Sequence, residues 1–286
     1  MPDTARTSTS MSLDRSILDE ARGLGINLSR AAEQGLVAAI RAGQAEKIVL
    51  SRVEPRALAP DHDLRNLVQA LAAARAQAFV SLGSLPQAGP WLTATPEVLL
   101  RSDASGVFTM ALAGTQWPDP QVDPATLSWP RKIIDEQAIV ASEIRGAFAQ
   151  AGLTGVSETP AHTVRAAQLC PLRSDFAAPP ATPEQLARLL RLLHPTSAVC
   201  GMPRSAARAF ITEVEGAARG FYTGYLGPVG IGGETRLLVN LRAARLTRSQ
   251  AYLHVGGGIV AASDPALEYQ ETVEKARTIG EVLTAA

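Results

Sequence analysis

Long apolar runs are missing from this sequence, and so are cysteine clusters, aromatic-rich stretches and any excess of one charge. No run of eighteen apolar residues occurs, which excludes a membrane-spanning helix. Cys170 and Cys200 are the only cysteines, too few for a disulfide framework, and neither has a histidine at metal-ligand spacing. Both read as buried, reduced thiols. Lys+Arg and Asp+Glu each number 27, so there is no broad basic surface for nucleic acid and no polybasic membrane anchor. That balance still allows a local cationic pocket for a small anion. Residues 1–12 are polar and Thr/Ser-rich, without the apolar core of a secretory signal. They read as a disordered start to a cytoplasmic protein.

What is present is core material. Hydrophobic residues make up 46% against 19% charged, enough for one packed domain over residues 13–286. Apolar spacing predicts helices within 13–43, over 64–76, 131–150, 183–193 and 205–215, and from Pro265 onward. Short β-prone runs fall at 47–50, 78–82, 91–95, 98–101 and 107–112, and again between Phe221 and Ala262. Residues 166–172 are ambiguous. Residues 116–130 and 174–182, rich in Pro or Ala, read as loops. Helices and strands alternate without a βαβ beat, which predicts an α+β fold with large antiparallel sheets packed together with surrounding helices.

Four features could carry chemistry. Gly256-Gly257-Gly258 follows an apolar strand and could bring backbone N–H groups to an anion, or form a bulge or tight turn. Without a following lysine or a GxGxxG pattern, it does not support nucleotide binding. Glu268, Glu271 and Lys275 share one face of the last helix, as a cation-binding surface or as a solvated ion-paired face. Asp135 and Glu136, after Arg131-Lys132, could simply complement a helix dipole. Lys47 enters a strand either as an exposed charge or as a buried amine that acts as a base.

The ordered motifs change the weighting. EKIVLSR (46–52), TATPEVLL (93–100), MALAGTQ (110–116), DEQAIV (135–140), LHPTSAVCGMPRSAA (193–207), RGFYTGYLGPVG (219–230), LLVNLRAARL (237–246), YLHVGGGIVAASDP (252–265) and EYQETVEKA (268–276) run collinearly over roughly 240 residues. Together they resemble the chorismate-utilising enzymes that form isochorismate, salicylate, anthranilate and aminodeoxychorismate. The resemblance implies that family's fold, in a compact version shortened at its N-terminus.

Position by position, the resemblance makes Lys47 the general base and Glu97 the general acid, with His194 near the ring. It places Mg²⁺ on Glu136 and Glu271, with Glu268 as a more distant or water-mediated partner. Arg242 and Lys275 would hold the carboxylates of chorismate, assisted by the backbone of Gly256, Gly257 and Gly258. Gly114 and Thr115 would line the ring pocket. Lys47 and Ala198 (in HPTSAVCG) match the members that use water as nucleophile, so isochorismate synthase is implied, with salicylate synthase next and a non-catalytic chorismate binder third. No amidotransferase subunit is implied, and the oligomer expected is a monomer or weak dimer. Two positions depart from the pattern: Gln137 stands where many members have His, and Ile133 where an acid is common.

Overall fold

The computed structural model describes residues 28–285 apart from 60, 61, 117, 166–169, 216 and 217. The expected disordered segment 1–12 and the helical reading of 13–27 lie outside the described residues. Six helices are described: α1 (Leu28–Arg41), α2 (Leu64–Ala74), α3 (Arg131–Gln150), α4 (Pro183–Leu193), α5 (Arg204–Glu215) and α6 (Pro265–Ala285). Their starts follow local chemistry. The Asp63 side chain accepts from the N–H of Arg65 at the head of α2, and Thr182 forms a reciprocal capping box with Gln185 at the head of α4. Helix α3 begins directly after Pro130, with no side-chain cap.

Two antiparallel sheets carry the fold, as the α+β reading anticipates. The first contains β1 (Lys47–Ala57), β2 (Phe79–Leu85), β3 (Gly89–Thr95), β9 (Gly201–Met202), β12 (Ala243–Leu246) and β13 (Gln250–Val260), in the order β2-β3-β12-β13-β1-β9. The second contains β4 (Val98–Asp103), β5 (Gly106–Gln116), β6 (Ser157–Glu158), β8 (Cys170–Ala178), β10 (Tyr225–Leu226) and β11 (Thr235–Val239), in the order β10-β11-β4-β5-β8-β6. A short β7 (His162–Thr163) also pairs with β8.

Helices cover each sheet with the apolar stripes their spacing predicts. Leu67 and Leu71 of α2 and Ile279 of α6 pack on Leu92 and Leu253. Leu36 and Ile40 of α1 and Ala207 of α5 meet Ile48 and Ile259. Ile144 and Phe148 of α3 and Leu189 of α4 cover Leu100 and Phe176 of the second sheet. Cys170 and Cys200 are buried and unbridged.

Three expectations are corrected. Ser174–Ala178 is not loop but the second half of β8, where Leu172, Ser174, Phe176 and Ala178 are buried alternately; small and hydroxylated residues mask that period of two. Strand β1 runs on to Ala57, well past the β-prone run 47–50. Its outer half is solvated on an edge, which is also where Pro55 is tolerated. The triple glycine neither ends a strand nor makes a bulge. Gly256, Gly257 and Gly258 pair in register with Ser51, Leu50 and Val49 inside β13.

Candidate active site

A cleft opens between the two sheets, floored by Val49 of β1 and Val255–Gly258 of β13 on one side and Met110–Thr115 of β5 on the other. Lys47, the first residue of β1, pairs in register with Val260 and Met202. Its side chain is only 1% exposed, and Nζ lies 2.7 Å from Oε1 of Glu136 on α3. That contact lacks hydrogen-bond geometry, so the amine makes no hydrogen bond of its own. A buried lysine against a carboxylate is the environment in which such a group is used rather than displayed.

Gly258 explains how the pair fits. A Cβ there would stand 2.4 Å from Oε1 of Glu136 and 3.0 Å from Cε of Lys47. Gly256 is constrained in the same way, by Leu50 O at 2.7 Å and the Tyr222 hydroxyl at 3.1 Å. The glycines therefore contribute missing side chains rather than a special turn.

Glu97 sits in the connection from β3 to β4 and lines the cleft. Burial pushes its carboxyl up to about 7, against the opposing pull of Lys47, Arg242 and Lys275. A carboxyl of this kind is half protonated near neutrality and can donate a proton. Arg242 adopts φ +49° between β11 and β12. Its guanidinium donates to the Thr278 hydroxyl at 3.0 Å and forms no ion pair with any described residue. Burial lowers its pKa. A largely buried guanidinium without a carboxylate is a natural receptor for an anionic ligand.

The face of α6 read from spacing is realised. Lys275 Nζ contacts Oε1 of Glu271 at 2.9 Å and donates to Gly256 O at 3.0 Å. Lys275 holds the Glu271 carboxyl down at about 2 despite its burial. Glu268 is 4% exposed and contacts Lys132 Nζ through Oε1 at 2.6 Å. Burial raises the pKa of Glu268 against the contrary pull of Lys132 and the Ser263 hydroxyl, and its Oε2 is buried without a well-formed hydrogen bond. Burial works to discharge Lys132, but Glu268, Glu136 and Glu271 outweigh it and raise its pKa.

Whether these carboxylates suit Mg²⁺ can be judged on donor chemistry. Glu136, Glu271 and Glu268 supply hard oxygens, each offset by one lysine, and one buried oxygen lacks a partner. Among the described residues, no three His, Cys, Asp or Glu gather closely enough to hold an ion unaided. Mg²⁺ characteristically takes one or two carboxylates and completes its shell with substrate and water, so the donor set fits.

Gly114, Thr115 and Ala198 also line the cleft. At Gly114, with φ +62°, a Cβ would strike Ile133 and Trp129; Ile133 thus packs behind Gly114 in a buried apolar cluster with Ala113 and Leu172. Gln137 is buried, its amide donating to Ala111 O at 3.3 Å. Lys47 and Glu268 do not line the cleft themselves but contact Glu136 and Lys132, and His194 lies elsewhere. It caps α4 and lines an adjoining depression with Cys200, Arg208 and Arg219, edge-on to Tyr225, rather than the cleft itself. The chain turns at His194-Pro195 before Ala198 and Val199 reach the cleft, so the motif arrives there three residues later.

Several cleft residues escaped the sequence reading. Tyr222, pushed up by burial, and His254, lowered by burial to about 4, form an aromatic wall with Trp91. Both lie inside quoted motifs, RGFYTGYLGPVG and YLHVGGGIVAASDP, but no spacing or charge pattern singles them out there. Lys132 did carry a signal, since it lies one helical turn before Glu136.

A sequence model of the family described as chorismate binding enzyme matches residues 27–284. The salicylate biosynthesis isochorismate synthase of Pseudomonas aeruginosa is 35% identical over 87% of this chain and 53% of its own length. The isochorismate synthase DhbC of Bacillus subtilis is 34% identical over 86% of this chain and 65% of its own length. Among solved structures, MenF, the menaquinone-specific isochorismate synthase of Escherichia coli, superposes with a TM-score of 0.75 at 26% identity. That match covers 90% of this chain and 60% of the other. The chain thus spans between about half and two thirds of the length of these relatives.

Proposed function

The chain belongs to the chorismate-binding enzyme family, and from that premise we propose that it converts chorismate to isochorismate in a Mg²⁺-dependent reaction. The observation that carries the reading is Glu97, a buried carboxyl raised to about 7 in a cleft that also holds Arg242 and Lys275, with Lys47 buried against the cleft residue Glu136. An acid that keeps its proton near neutrality, among cations that attract an anion, fits the departure of a hydroxyl from a small dicarboxylate.

In this reading Arg242 and Lys275 hold the substrate carboxylates, and the glycines of β13 let the ring approach the sheet. Lys47 takes a proton from the water that attacks ring carbon 2. Glu97 gives its proton to the hydroxyl leaving carbon 4. Glu136 and Glu271, with Glu268 behind them, would hold the ion, which supplies Lewis-acid charge to the ring carboxylate when bound. Ala198 and Lys47 favour water over ammonia, so no amidotransferase partner is required. The product would feed a menaquinone or a catecholate siderophore.

Chromatographic product analysis with purified protein, chorismate and Mg²⁺ tests the proposal. Isochorismate formed only with the metal supports it. Salicylate with pyruvate moves the assignment to the salicylate branch, and chorismate bound but unchanged would leave a binding protein.

A further inference from the structure

Lys132 has no part in the chemistry above, yet it stands among the carboxylates beside the cleft, in contact with Glu268 and within the fields of Glu136 and Glu271. It stands in the first turn of α3, one helical turn before Glu136, and reaches Glu268 in the first turn of α6. Glu268 is itself one turn before Glu271, so the two helices meet as facing pairs: Lys132 and Glu136 opposite Glu268 and Glu271. The contact is not a surface pair, with Lys132 16% exposed and Glu268 4%. The fields of Glu136 and Glu271 also reach the ammonium. The second oxygen of Glu268 is buried without a well-formed hydrogen bond. Lys132 is therefore one of three lysines, with Lys47 and Lys275, that offset the three carboxylates in place of an ion.

We infer that Lys132 is a resident counter-cation of the carboxylate cluster, competing with a divalent ion and so setting how tightly the cluster binds one. The inference rests on the metal-site reading above. Lys132 is a positioning residue here: it touches neither substrate nor reacting atoms, and an ion arriving at Glu271 and Glu268 must displace or repel its ammonium. Two unit charges about 4 Å apart interact strongly even in a partly screened site, so losing this one should tighten ion binding by at least about tenfold. Keeping the charge and changing its shape should matter far less.

The test is titration with Mn²⁺ in the absence of chorismate, reading free ion by electron paramagnetic resonance. Lys132→Met is expected to lower the Kd at least about tenfold, while Lys132→Arg stays within about threefold of the parent protein. Lys132→Gln replaces the Met variant should circular dichroism show that one unfolded. Unchanged or weaker binding in the neutral variants would overturn the inference, and so would an Arg variant as tight as the neutral ones. Glu271→Gln separates the two levels. If it abolishes Mn²⁺ binding while the neutral Lys132 variants bind no more tightly, only the role of Lys132 falls. If the parent and Glu271→Gln proteins bind equally weakly, the metal-site reading falls and this inference with it.

Discussion

At the scale of single residues, the account turns on Glu97, on Lys47 and on the glycine that makes room for Lys47 and Glu136. Glu97 is raised from 4.5 to about 7 in the folded protein by burial. Between those values the folded state binds the extra proton, so stability falls as pH rises through that window. At pH 8 the ionised, buried carboxyl costs up to roughly 3 kcal/mol relative to its unfolded state. Glu97→Gln should therefore be more stable than the parent protein at pH 8 and similar at pH 4, as read by urea denaturation. The same variant should lose about 100-fold or more in turnover, and the parent's kcat/KM should fall as pH rises past about 7. Gly258→Ala makes a separate prediction. Its Cβ would displace Glu136 Oε1 and Lys47, so activity should collapse while the circular dichroism spectrum is retained.

These residues were unequally legible in the sequence. Lys47, Glu97, Glu136, Glu271, Arg242 and Lys275 lie in motifs, and the structure gathers them around one cleft. Tyr222 and His254 lie in motifs too, but an aromatic ring in a strand or turn reads as core, and only tertiary packing brings these two to the cleft. His194 lies in a strong motif and yet lines the neighbouring depression.

At the scale of elements, long helices were the clearest. The apolar period defines α3 and α4 to the residue, and the capping box of Thr182 and Gln185 marks where α4 starts. Thr182→Ala should lower stability by about 1 kcal/mol, measured as a drop in Tm, with kcat unchanged. Strands were less legible because burial, not propensity, decides them. The outer half of β1 is polar on a solvated edge, and β8 hides its alternation behind Ser174 and Ala178. Glu215 and Arg219 form an ion pair, although Arg219 lies beyond the end of α5. Arg219 also donates to Val49 O at 2.8 Å and Val199 O at 2.7 Å, and Glu215 accepts from Ser51 N at 2.7 Å. These contacts tie β1, and with it Lys47, to the HPTSAVCG segment. Arg219→Met leaves Glu215 buried without its partner and should cost roughly 3–5 kcal/mol by chemical denaturation.

At the scale of the whole molecule, two antiparallel sheets with helices outside place one cleft between strands that are far apart in sequence. The first and last strands of the first sheet, β1 and β13, pair over eleven residues in register. That pairing brings Lys47 beside Gly258, and α6, following β13, returns Glu271 and Lys275 to the same opening. Among the described residues no helix is long and apolar enough to cross a membrane. Composition and periodicity forecast the fold class; the meeting of distant motifs came from the family resemblance.

The central claim is that water adds at ring carbon 2 while the hydroxyl at carbon 4 leaves. The direct measurement is mass spectrometry of the product formed from chorismate and Mg²⁺ in oxygen-18 water. The account requires isochorismate carrying one oxygen-18 atom from solvent. Isochorismate free of label would mean that the hydroxyl migrates within the substrate, and would contradict the roles given to Lys47 and Glu97.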